Sequence, residues 1–239
     1  MCQVCNEQME SRRNFLSMAA VGIGAGLGLT APAAFAAGGA TTTVTADEAL
    51  AKLKAGNQKF VKGPELCSAE LAHQRDHVAK SQAPWATIVS CADSRVPPEL
   101  LFGGLGLGEL FVARNAGNMV DTATMGTIEY GSGVLGVPLI IVLGHERCGA
   151  VAAACEVVEK KTKFPGSIGP MVDAILPAAQ AVVGKAGDFV DNAVRESAVR
   201  TAKKIATESA MIAELVKKGK VKVVAARYDL DEGRVEFFS

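Results

Sequence analysis

Two short runs hold the residue types best suited to chemistry. One is Cys91-Ala92-Asp93-Ser94-Arg95 and the other is Gly144-His145-Glu146-Arg147-Cys148-Gly149. Two cysteines and a histidine make a sulfur–nitrogen donor set suited to zinc, and three protein ligands with a fourth position open is the catalytic pattern. His145 and Cys148 are close enough in sequence to face one ion from a single turn. Each of the three alone would read as a small buried hydrophobe or a satisfied core histidine. Together, with Asp93 and Arg95 beside them, they read as a metal site. Asp93 is the candidate acceptor for a hydrogen of the attacking oxygen. Arg95 would keep that carboxylate ionised and oriented through a charge-assisted contact. A helix opening at Cys148 would favour its thiolate, and Gly149 would let the backbone approach with its N–H turned into the site.

Such a site needs rigid strands to carry it. Ala86 to Ser90 is a short apolar, β-branched run ending at Cys91, and Leu110 to Arg114 is a second. Leu139 to Leu143 is unbroken apolar, as a strand buried on both faces requires. Val221 to Arg227 gives a fourth strand, and Val235 to Phe238 a short fifth after the Asp231-Glu232-Gly233 turn. Thr45 to Glu48 fits a capping box opening a helix. Further helices are predicted at about 68–81, 121–135, 148–160, 170–183 and 192–218. Alternating strands and helices imply an α/β fold with a mainly parallel sheet covered on both sides, whose ligand sites lie at the carboxyl ends of strands. Both chemical runs are predicted there.

Composition excludes several partners. Among 239 residues, 25 Lys+Arg balance 25 Asp+Glu, so bulk electrostatics favour neither nucleic acid nor anionic lipid. Residues 1–36 are predicted to be a cleaved export signal. Met18 to Thr30 is an uncharged apolar run too short to span a bilayer, and Ala34-Phe35-Ala36 supplies a small-x-small cleavage pattern. Ser11-Arg12-Arg13-Asn14-Phe15-Leu16 resembles a twin-arginine signal. The expectation is a periplasmic or secreted chain of one domain, residues 37–239, with no stable membrane insertion after cleavage.

Other suggestive residues have plainer readings. His73 and His77 lack a following Glu and read as surface histidines. Cys2 and Cys5 leave with the signal, while Cys67 and Cys155 read as buried, with a disulfide open to either. The Gly103 to Gly108 run lacks phosphate-loop spacing and enters a strand, so it reads as a loop.

The two chemical runs, with Arg114-Asn115-Ala116-Gly117-Asn118, Ile128-Glu129-Tyr130 and Tyr228-Asp229-Leu230, make the chain resemble the β-class carbonic anhydrases over about residues 46–238. The resemblance implies a four-stranded parallel sheet with a fifth strand added, assembled as a homodimer or higher homo-oligomer. It implies reversible hydration of carbon dioxide to bicarbonate and a proton, with a hydroxide on zinc as nucleophile. One Zn²⁺ per chain would be held by Cys91, His145 and Cys148. Asp93 and Arg95 would be catalytic. Gln82 and Gly149 would donate to the substrate, and Phe111, Ala116 and Tyr130 would form its apolar wall, Tyr130 across a dimer. Some members carry a Trp three residues before the first zinc Cys in a regulatory bicarbonate site. Ile88 stands here instead, so that part of the pattern is missing. Two alternatives keep the same residues: a carbonyl sulfide or carbon disulfide hydrolase, and a non-catalytic zinc or bicarbonate-binding protein.

Overall fold

The computed structural model describes residues 42–63, 74–75 and 78–238. The export signal, His73, His77 and Cys67 lie outside the described residues, as does most of the helix predicted at 68–81. Five strands form one sheet in the order β2-β1-β3-β4-β5. They are β1 (Ala86–Cys91), β2 (Leu110–Asn115), β3 (Leu139–His145), β4 (Lys222–Tyr228) and β5 (Val235–Phe237). The first four are parallel and β5 is antiparallel to β4, as the sequence implied. Every residue of β1 and β3 is buried, which is why their runs are apolar throughout.

Alternate residues of the central strands feed two cores. Ala86, Ile88, Leu139, Ile141 and Leu143 pack against Ala49 and Leu53 of α1 (Ala46–Lys62) and against Leu101 of the short α2 (Pro98–Leu101). Val89, Ile140 and Val142 pack against Ile128 of α3 (Thr122–Glu129) and Ala198, Ala202 and Ile205 of α7 (Phe189–Glu208). The capping box forms: Thr45 Oγ1 accepts from Glu48 N at 3.3 Å, and Glu48 Oε2 accepts from Thr45 N at 2.8 Å. Asn57 of α1 is buried and donates to the carbonyls of Leu101 and Gly233 at 3.1 and 2.8 Å. Its Oδ1 accepts from Val235 N at 2.8 Å. The first helix is thereby tied to α2 and to the last hairpin. Beside Asn57, Gly56 lies so close to α2 that a Cβ there would stand 1.9 Å from the Phe102 carbonyl oxygen.

Three helical stretches depart from the sequence reading. The run predicted at 192–218 opens earlier, at Phe189, and divides at Ser209 into α7 and α8 (Ala210–Lys217). Ser209 accepts from Ile212 N at 3.1 Å and donates its hydroxyl to Glu129 Oε1 at 2.6 Å. The stretch predicted at 121–135 is α3 followed by a π-helical turn, Tyr130–Val134, whose Gly131 lies flat on Thr87 and Phe111. The stretch at 170–183 is two short helices, α5 (Ile168–Asp173) and α6 (Leu176–Ala181). The one predicted at 148–160 is α4 (Gly149–Lys160). Helices α4, α5 and α6, with the start of α7, close the third core, which surrounds Cys91 and Cys148.

Candidate metal centre

β1 and β3 are neighbours, and Ser90 pairs with Leu143. Cys91 and His145 therefore leave adjacent strands at the same edge of the sheet. The chain turns to β2 on one side of β1 and to β3 on the other, so this edge is a topological switch point, where open α/β sheets place their sites. Cys148 caps the amino end of α4. One donor atom from each of Cys91, His145 and Cys148 lies within 4.8 Å of the others, and all three residues are buried.

The local hydrogen bonds suit this set to a metal. His145 Nδ1 is 2.9 Å from the Glu146 carbonyl oxygen, which can only accept, so the ring proton sits on Nδ1. Nε2 is left as a bare lone pair, fully buried and without a partner. Cys91 Sγ accepts from Gly117 N at 3.4 Å. Gly117 has φ +79, and a Cβ there would stand 2.7 Å from Ile175 Cδ1, so only glycine brings this N–H to the sulfur. The two thiols share one negative charge. Hydrogen bonds from Cys148 first, and from the Gly117 N–H, draw the Cys91 thiol downward. The Cys91 thiolate and burial push Cys148 up, against the backbone N–H groups of Val151 and Ala150 at the start of α4. A dication would remove this conflict by accepting both thiolates. Two sulfurs and an unprotonated imidazole fit zinc.

Asp93 and Arg95 flank the cluster as paired. Arg95 Nε donates to Oδ1 at 2.9 Å and Nη2 to Oδ2 at 2.7 Å, with the Arg95 backbone N also on Oδ1 at 2.9 Å. The Arg95 guanidinium holds the Asp93 carboxyl well below the usual carboxylate range. Beside Gly149, at the mouth of α4, no heavy atom lies within 4 Å of where a Cβ would stand. Sequence reasoning left one contributor without a role. Arg114 donates to the carbonyls of Cys91 and Asp93 at 2.9 and 2.6 Å, clamping the backbone that presents both. It was visible within its motif, but nothing local showed what it touches.

These contacts accord with the known proteins that the chain resembles. The carbonic anhydrase family profile matches residues 86–235. The chain belongs to the β-carbonic anhydrase family. It is 38% identical over 184 residues to carbonic anhydrase 2 of Mycobacterium tuberculosis, covering 76% of this chain and 87% of that one. It is 38% identical over 189 residues to a carbonic anhydrase of Mycolicibacterium smegmatis, covering 78% and 90%. A Coccomyxa β-carbonic anhydrase solved with acetazolamide superposes with a TM-score of 0.61 at 29% identity, covering 78% of this chain and 85% of that one.

The remaining residues that the sequence of this β-carbonic anhydrase offered for substrate contact divide into two groups. Ala116 follows Asn115, the register partner of Cys91, and Gly149 follows Cys148 at the start of α4, so both lie at the end of the sheet that carries the cluster. Gln82 is exposed on the segment entering β1, at the opposite end of the sheet. Phe111 pairs with Thr87, four register positions below Cys91, or about 13 Å along the strand. Its ring lies 6.1 Å from that of Tyr130, which is 38% exposed. A single chain does not bring Gln82, Phe111 and Tyr130 to its own cluster. Ile88, where some members carry Trp, is wholly buried in the core, and Trp85 is spoken for by Glu109.

Proposed function

We propose that this carbonic anhydrase interconverts carbon dioxide and bicarbonate at one zinc ion per chain, held by Cys91, His145 and Cys148. The partnerless Nε2 of His145, buried with the two sulfurs, carries the reading. Zinc bound there would supply the Lewis acidity that brings a water's pKa toward neutrality. The chain's own residues do the rest. Asp93, kept ionised by Arg95, accepts a hydrogen from the attacking oxygen and so aims its lone pair at the carbon. Arg95 also turns the carboxylate from the thiolates. The open space beside Gly149 admits a small linear substrate, and the Gly149 N–H is placed to donate to a substrate oxygen.

Gln82, Phe111 and Tyr130 serve the same pocket from a second copy of the chain. Tyr130 and Val134 are exposed beside the half-buried edge strand β2, a surface suited to a homodimer or larger assembly. The proposed route is export through the twin-arginine-type signal at residues 1–36, with the zinc domain at 37–239 acting in the periplasm or outside the cell. Among the described residues no helix is long and apolar enough to cross a membrane.

Stopped-flow hydration of carbon dioxide by the purified protein, with zinc content measured alongside, tests the reading. One zinc per chain with hydration far above the uncatalysed rate is expected. Full zinc without hydration would overturn it, and turnover of carbonyl sulfide alone would change the substrate.

A further inference from the structure

We propose that Glu146 is a positioning residue for His145, holding the imidazole in the tautomer that leaves Nε2 free. The proposal rests on the zinc reading of Cys91, His145 and Cys148. A neutral imidazole has one proton and two nitrogens, so Nε2 can meet a metal only while the proton stays on Nδ1. That proton is received by the carbonyl of the next residue, Glu146. Rotating one peptide plane would take the acceptor away.

The Glu146 side chain is what braces that plane. Its backbone N–H donates to the Tyr228 carbonyl at 2.9 Å, a bond any residue could make. Its carboxylate adds two acceptor contacts that together only an acid could make. Oε2 accepts from Leu230 N at 3.1 Å, and Oε1 accepts from Arg147 Nη1 at 3.1 Å with Arg227 Nη2 at 3.8 Å. Both arginines are themselves anchored. Arg227, only 10% exposed, donates to Asp191 Oδ1 at 2.5 Å and Asp229 Oδ2 at 3.0 Å. Arg147, at φ +51, donates twice to Asp231, at 2.9 and 2.7 Å. The residue between the two metal-ligand positions is thus tied to α7, to β4 and to the turn before β5. Arg227 lies opposite Gly144 and Tyr228 opposite His145 in the β3–β4 register, so the brace meets the loop where the histidine emerges.

A network that served stability alone would leave the ring's proton and the metal affinity untouched. The test therefore reads both, in the full chain carrying Glu146→Ala, Glu146→Gln or Arg147→Ala. Zinc affinity is measured by competition with a chromophoric chelator. The His145 tautomer is read from ring ¹⁵N shifts in reduced, zinc-free protein. Glu146→Ala is expected to weaken zinc about 10- to 100-fold and to move His145 from Nδ1–H toward a mixture. Glu146→Gln keeps one acceptor oxygen, for Leu230 N or for Arg147 but not both, and should recover only part of the loss. Arg147→Ala, at a side chain that is half exposed, should move both readouts in the same direction. Unchanged affinity and tautomer in Glu146→Ala and Arg147→Ala would overturn the proposal, as would a Glu146→Ala variant altered in stability alone. If His145→Ala and Cys148→Ala also keep wild-type affinity, the zinc reading itself has failed. If those two lose zinc while Glu146→Ala does not, only this proposal has.

Discussion

Asp93 Oδ2 lies 3.9 Å from Nε2 of His145, yet both carboxylate oxygens are held by Arg95, at 2.9 and 2.7 Å. The acid is near the metal ligands and is kept from joining them. Because Arg95 lowers its pKa, Asp93 should remain ionised at every pH above the usual carboxylate range. Its share of stability is present above about pH 3.9 and is lost only as pH falls through the lower folded value. Asp93→Asn should retain zinc while kcat/KM falls on the order of 10²-fold. Arg95→Gln should raise the pKa of Asp93, so the acid limb of the pH–rate profile moves upward. An unmoved limb in Arg95→Gln would show that Arg95 does not set the protonation of Asp93.

Replacing any ligand should remove the metal and, with it, turnover. Cys148→Ala is expected to purify with little zinc by elemental analysis and with no hydration above background.

Stripping the metal from the native chain exposes a different chemistry. The Cys91 and Cys148 sulfurs lie within 4.8 Å, and loss of zinc leaves a thiolate beside a thiol. With hydrogen peroxide as oxidant, the pair should lose one proton and two electrons to form a disulfide, and the peroxide, taking up those electrons, that proton and a second proton from solvent, is reduced to two waters. Cys155, whose thiol burial pushes up to about 11, should stay reduced. Mass spectrometry after alkylation checks both. Zinc-loaded protein should resist the oxidant, and chelated, oxidised protein should regain activity only when a reductant accompanies the zinc.

Ser209→Ala removes a helix cap and the partner of a half-buried carboxylate. Each loss costs about 1 kcal/mol, so chemical denaturation should show about 2 kcal/mol less stability.

Gly56→Ala places a better helix former in the middle of α1. The Phe102 carbonyl leaves no room for it, so the variant should lose stability in thermal unfolding although propensity alone forecasts a gain.

The parts legible in the sequence share a physical reason. β1 and β3 are buried on both faces, so their residues had to be apolar without alternation, and such runs stand out. The cluster of Cys91, His145 and Cys148 was legible because two short runs carry all three. The division at Ser209 was not, because Thr207-Glu208-Ser209-Ala210 continues a helical pattern and the partner of Ser209 is Glu129, far away in sequence. The π-helical turn at Tyr130 depends on Gly131 meeting Phe111 and Thr87, again a tertiary fact. The sequence ended the fourth strand at Arg227 without a role for it, because its partners Asp191 and Asp229 are met only in the fold.

Asn57 sets an order of events. It is 4% exposed, and two of its three hydrogen bonds are to Gly233 and Val235, near the end of the chain. During synthesis the first helix emerges long before those partners exist, and its amide must wait, hydrated, until the final hairpin leaves the ribosome. A chain cut short before Gly233 could bury that amide only with most of its bonding capacity unmet. Full bonding of Asn57 in α1 therefore reports that Gly233 and Val235 have been made. On the proposed twin-arginine route, which passes folded cargo, that coupling would hold back truncated chains at the membrane.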